Sequence, residues 1–248
     1  MNNKLYVFGC SYATGEELLC HELPIDDYRI KFANDPRKFF YKLETLTLQD
    51  KYEEIKIRQK QLSWPNLLAD KLGVECINLS ESGNSLDKIV YQVLENNHKF
   101  NKHDMIIVSL TKPTRNAVFD STVESFQLPS LMWPVKTLMG VKDTGDMKPV
   151  IDKDTDKALL KWFTNDRVAW DFVKNIQVLE KLDVCIVPAM KDNFTTSMLT
   201  LQRLFNSSKE SFLTQSTLDD FCQQRHAWGH PDKEAHEKYA EHIYGLLR

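Results

Sequence analysis

The sequence predicts a three-layer α/β/α fold built on a doubly wound parallel sheet, and three observations carry that expectation. Four short, mostly apolar runs recur along the chain, at 4–8, 74–79, 105–110 and 184–188. Amphipathic helical stretches lie between and after them, the alternation that produces parallel sheets with helices on both faces. The third run, Met105-Ile-Ile-Val-Ser-Leu110, is almost wholly apolar, as a central strand covered on both sides must be.

Taken in order, the chain opens on Lys4-Leu-Tyr-Val-Phe8, a short buried strand that runs into Gly9, then Ser11 and Gly15. A mixed, charged stretch to about residue 61 reads as loop and helix inserted near the strand end. Within it, Lys51 to Lys60 interleaves acids with bases, as a solvated helix face does. A helix follows over about 63–72, with Ser63 as cap, Pro65 in the first turn, Gly73 at the end, and Trp64, Leu67, Leu68 and Leu72 facing inward. The second strand, 74–79, gives way to the loop Ser80–Ser85. A helix over 86–96 then turns Ile89, Val90, Val93 and Leu94 inward.

Beyond the third strand, residues 111–150 are irregular and contain Pro113, Pro129, Pro134 and Pro149; loops of that length in compact domains are usually functional lids or poorly ordered segments. An amphipathic helix is expected over about 156–182, breaking near 164–166, with Leu159, Phe163, Phe172, Ile176 and Leu179 apolar. The fourth strand spans 184–188, and helical pieces are expected at 195–205 and 215–225. A final helix over 232–247 carries Ala235, Tyr239, Ile243 and Leu247 on one face. The 248 residues show no repeat and no clean linker, so a single domain is expected.

Bulk properties exclude some function classes. The net charge of −3 supplies no general attraction to nucleic acid or anionic membrane. Five widely spaced cysteines (Cys10, Cys20, Cys76, Cys185, Cys222) suit free thiols in a reducing compartment, so a cytoplasmic location is expected. No leader pattern is evident at the N-terminus, and no stretch reaches the ~18 apolar residues of a membrane span. Cys222, His226 and His230 stand four residues apart, but Gly229 and Pro231 interrupt a helix there and no fourth ligand is evident; no metal or cofactor is expected.

In a parallel sheet the loops after the first three strands emerge at one edge, where ligands bind. That places Gly9–Gly15, Ser80–Ser85 and Thr111–Asn116 together. The C-terminal segment Trp228-Gly-His-Pro231 can fold over the same edge. Ser11 is the candidate nucleophile and His230 the candidate general base. Arg115, just past a central strand, is placed to bind an anion, with Asn84 and Trp228 as further substrate contacts. Cys10 is expected to be a buried thiol, and His236 a structural histidine.

These blocks resemble the SGNH hydrolase superfamily, the GDSL-type lipases and esterases. Gly9-Cys-Ser-Tyr-Ala-Thr-Gly15 matches the family's Gly-Asp-Ser block, Asn78 through Gly83-Asn84-Ser85 its second, and His230-Pro231 with His236 its last. The resemblance runs in order through nearly the whole chain and implies a flavodoxin-like sheet with insertions after strands 1 and 3. It also implies a Ser11–His230 pair, with backbone N–H groups of Ser11 and Gly83 at the oxyanion. Two departures stand out. The family's third-block Asn is replaced by Thr111-Lys-Pro-Thr-Arg-Asn116, which leaves Thr111, Arg115 or Asn116 to donate. Ala227 stands where the family has the Asp that orients histidine, so a backbone carbonyl, Asp192, Asp219 or Asp220 would have to serve.

The function expected is hydrolysis of a small-molecule or carbohydrate ester by a serine esterase or deacylase, with no nucleic acid or membrane partner. The alternative is a catalytically degenerate member that binds an anionic ligand through Arg115 and the 112–150 loop. A third class, nucleic-acid or nucleotide binding through Lys112, Arg115 and the 51–60 stretch, would show as a steep salt dependence.

Overall fold

A computed structural model describes residues 3–16, 18–19, 49–81, 84–111, 165–190, 212–214, 216–225 and 230–248. Strands β1 (Lys4–Phe8), β2 (Glu75–Asn78), β3 (Met105–Leu110) and β4 (Cys185–Pro188) form one sheet in the order β2-β1-β3-β4. Every neighbouring pair is parallel: Tyr6 stands opposite Ile77 on one side and Ile106 on the other, and Val108 opposite Ile186. This is the doubly wound order, with the chain reversing its winding between β1 and β3. At that switch point the strand ends open a crevice.

The apolar runs have the length and composition they do because helices cover both faces. Successive residues of a strand point to opposite sides. Leu5, Val7, Ile107 and Val187 therefore pack with Trp64, Leu68, Tyr239 and Ile243, which lie on α3 (Trp64–Leu72) and α6 (Lys233–Leu247). Tyr6, Phe8, Val108, Leu110 and Ile186 pack on the other face with Ile89, Val93, Phe172, Ile176 and Leu179, from α4 (Leu86–Asn96) and α5 (Asn165–Glu180). The three layers follow from the alternation.

Two further helices complete the frame: the single turn α1 (Ser11–Thr14) and α2 (Gln49–Leu62). The charged 51–60 stretch lies on α2, which turns Ile55 and Gln59 into the protein and leaves Ile57 exposed. The thiol of Cys10 is buried in the core, among Ala13, Trp64 and Tyr239.

Several sequence expectations need correction. Ser63 stands at the N-cap of α3, but its hydroxyl donates to Lys60 O at 2.6 Å and caps nothing. The cap comes instead from His236, 172 residues away, whose Nδ1 accepts from the Trp64 N–H at 3.0 Å. A buried imidazole serves here because α6 packs against α3 and both Trp64 and His236 are enclosed in the core. Leu94, expected inward, is 48% exposed. Of the helix expected at 215–225, the described residues show only a 3₁₀ turn, Leu218–Asp220, after which Arg225 bridges Pro231. Residues 156–164, with Leu159 and Phe163, and residues 195–205 lie outside the described residues.

His236→Ala is expected to lower stability by about 1–3 kcal/mol, because it strands a buried backbone donor. Urea unfolding of the variant measures the loss, and no change in the midpoint would remove His236 from the capping role.

Candidate active site

Ser11 sits where β1 hands over to α1. Cys10 is extended (φ −110°, ψ −162°), and the turn closes with Ala13 N–H on Cys10 O at 2.9 Å. Ser11 is thus the first residue of a helical turn, and its N–H has no intrahelical acceptor. Its side chain is buried (2% exposed) at the carboxyl edge of the sheet.

Glycine is required on both sides of this turn, for different reasons. A Cβ on Gly9 would come within 3.0 Å of both Ala13 Cβ and Ser109 Cβ, so only glycine lets the turn sit this close to β3. Gly15 adopts φ +71°, the left-handed region, and a Cβ there would meet Gln59 O at 2.7 Å and Ser63 Cβ at 2.9 Å. Gly15→Ala is accordingly expected to cost about 2–4 kcal/mol, from left-handed strain plus overpacking. Urea unfolding tests it, and a cost below ~1 kcal/mol would show that α2 yields to the added methyl.

Polar side chains from β2 and its following loop fasten the turn. Asn78 Nδ2 donates to Ala13 O at 2.8 Å, while Asn78 Oδ1 accepts from Ser80 N–H at 3.1 Å. Asn84, read from the sequence as a substrate contact, is buried; its Nδ2 donates to Gly9 O at 3.1 Å and Gln92 Oε1 at 3.0 Å. One bond thus ties the loop to the strand end at Gly9 and the other to Gln92 on α4. Thr111, directly after β3, is fully buried. Gly83, Arg115, Asn116 and Trp228 lie outside the described residues, as do Asp192, Ala227 and the 112–150 loop.

The C-terminal segment reaches this turn through residues the sequence did not single out as a group. Arg225 Nη2 pairs with Asp219 Oδ1 at 2.8 Å, and Arg225 Nη1 donates to the Tyr12 hydroxyl at 3.2 Å. The Asp232 carboxylate accepts from Gln224 N–H at 3.1 Å and, through its other oxygen, caps α6 at Ala235 N–H, 2.8 Å away. These bonds, with the Arg225–Pro231 bridge, hold His230 just before α6. Its ring packs on Tyr12, centroids 5.5 Å apart at 59°. Its Nε2 lies 3.5 Å from Glu16 Oε2, and both side chains are largely enclosed, 13% and 20% exposed. The imidazole thus lies against the residue after Ser11 and the carboxylate five residues on.

Burial, then the nearby Asp219 charge, pushes the Tyr12 phenol up to about 12 against the opposing pull of Arg225; it is a neutral hydroxyl throughout the physiological range. Cys222 Sγ donates to Gln224 O at 2.8 Å. Among the described residues no group of three or more His, Cys, Asp or Glu is arranged to hold a metal ion.

Tyr12, Glu16 and Arg225 are the residues that sequence reasoning missed. Glu16 sits next to Gly15, and the left-handed glycine is the one local signal that the chain turns back there. Nothing local ties Arg225 to Tyr12, 213 residues earlier.

No protein-family model matches the chain, and no curated protein matches it. Solved structures similar to it are esterases among others. Over 99% of its length the chain is similar to TesA, at 12% identity and a TM-score of 0.45 over 98% of that chain. It is similar to the psychrotrophic esterase EstA from Pseudoalteromonas sp., at 11% identity and a TM-score of 0.44 over 97% of that chain. A carbohydrate esterase gives 13% identity and a TM-score of 0.47 over 64% of its own length. All three scores fall below 0.5.

Proposed function

We propose that this protein is a serine esterase or deacylase of the SGNH type, acting on a small-molecule or carbohydrate ester through Ser11 and His230. The observation that carries the proposal is the seating of the His230 ring on Tyr12, beside the turn that Ser11 begins. An alcohol nucleophile at a strand end and an imidazole folded back from the other end of the chain are the minimum for acyl transfer.

In this mechanism Ser11 Oγ attacks the ester carbonyl, its proton passes to His230, and the carbonyl electron pair moves onto oxygen. Collapse of the adduct expels the alcohol, which takes the proton from the imidazolium. A water then repeats the sequence on the acyl-enzyme. The Ser11 N–H, at the helix start with no intrahelical acceptor, suits the developing oxyanion. Gly83, Thr111 and Asn116 are the further donors we assign, with Arg115 and Trp228 at the substrate, while Asn84, its amide hydrogens taken by Gly9 and Gln92, supports the turn beneath it. We place the activity in one domain and in the cytoplasm, in keeping with the free thiols of Cys10, Cys76, Cys185 and Cys222. Among the described residues no helix is long and apolar enough to cross a membrane.

A serine-reactive alkyl phosphonate tests the assignment directly. Mass spectrometry of the digested adduct is expected to find the phosphonate on Ser11. Failure to label at millimolar reagent would remove the nucleophile and leave a binding protein as the better account.

A further inference from the structure

Ala227 replaces the family's orienting aspartate, which leaves open what holds the imidazole. Among the described residues, the Glu16 carboxylate lies within ion-pair distance of the His230 ring, 3.5 Å from Nε2. Asp219 is engaged by Arg225, and Asp220 accepts from the Thr217 N–H and hydroxyl at 2.8 and 2.9 Å. Glu16 is the acid that faces His230.

We propose that Glu16 is the positioning residue for His230, an acid supplied by the nucleophile's own turn in place of one from the histidine's loop. The assignment rests on the esterase reading. Glu16 is set by the geometry that sets Ser11: its N–H donates to Ser11 O at 3.2 Å, across the left-handed Gly15. Gly15 is in turn locked against Gln59 and Ser63. Nucleophile and orienting acid therefore move as one rigid unit, and the imidazole docks onto it. Tyr12 buttresses the ring from the side, while Arg225 holds the Tyr12 hydroxyl.

The chemistry follows from which nitrogen is engaged. In this arrangement the Glu16 carboxylate lies against Nε2, which carries the ring proton, leaving Nδ1 as the basic nitrogen that takes the Ser11 proton. When the ring becomes imidazolium, the carboxylate 3.5 Å away stabilises the charge and is not itself protonated. Partial enclosure of both groups keeps water from screening the pair fully.

The test compares the native protein with Glu16→Gln, Glu16→Asp and Ser11→Ala. Phosphonate labelling and hydrolysis of a short acyl ester are read together with the ¹⁵N shifts of the His230 ring. In the native protein the ring is expected as the Nε2–H tautomer. In Glu16→Gln, kcat is expected to fall roughly 10²–10⁴-fold with KM within a factor of about three, since orientation acts on the chemical step. The tautomer preference is expected to be lost, and Glu16→Asp to recover part of the rate. A labelled Ser11 with full hydrolysis and an unchanged ring in Glu16→Gln would overturn the role of Glu16 and leave the esterase standing. An unlabelled Ser11 would overturn both, even with a Glu16-dependent tautomer.

Discussion

Ser11→Ala is expected to abolish ester hydrolysis, with kcat falling on the order of 10⁴–10⁶-fold and folding intact. The magnitude follows from the mechanism: without Oγ no acyl-enzyme forms, and only oxyanion donors and substrate binding remain to accelerate attack by water. The fold should tolerate the change because the bonds that Ser11 makes to Thr14 and Glu16 run through its backbone. Its carbonyl accepts from the Thr14 hydroxyl and the Glu16 N–H, and an alanine keeps both. Initial rates on a short acyl ester, with circular dichroism as the fold control, check it. A folded Ser11→Ala protein retaining a tenth or more of native kcat would end the nucleophile assignment.

Trp64→Ala is expected to be the most destabilising single truncation described, costing about 3–5 kcal/mol. The indole is completely buried and meets the Tyr239 ring edge-on, centroids 5.4 Å apart at 85°. Those two rings join α3 to α6, and α6 begins just after the segment that holds His230. Its removal leaves a cavity beneath a rigid sheet, which the core cannot collapse to fill. Among the described residues Trp64 Nε1 has no hydrogen-bond partner, so Trp64→Phe removes an unsatisfied donor as well as volume and is expected to cost well under half as much. Urea unfolding of the two variants gives the comparison, and equal losses would show that the volume removed does not set the cost.

Local pattern was enough to find the strands and the helices beside them, because burial on both faces forces apolar runs and helix amphipathicity forces spacing. The Tyr6 and Val7 pair shows why: adjacent residues enter opposite cores, so both must be apolar. Cap and turn chemistry was half legible. Gly73 ended its helix in the left-handed conformation as its type predicts, whereas Ser63 lost the capping role to a histidine far along the chain.

What the sequence determined by itself was the layered parallel sheet, the edge at which its strands stop, and the hydroxyl waiting there; short-range periodicity encodes each of these. Which acid faces His230, and what holds the ring in place, the fold alone decided. Glu16 meets the imidazole, and Arg225 meets Tyr12, only once loop closure has brought the two ends of the chain together. Contacts across that separation leave no spacing to read, because their partners are chosen by topology and by which side chains the packed sheet leaves facing one another.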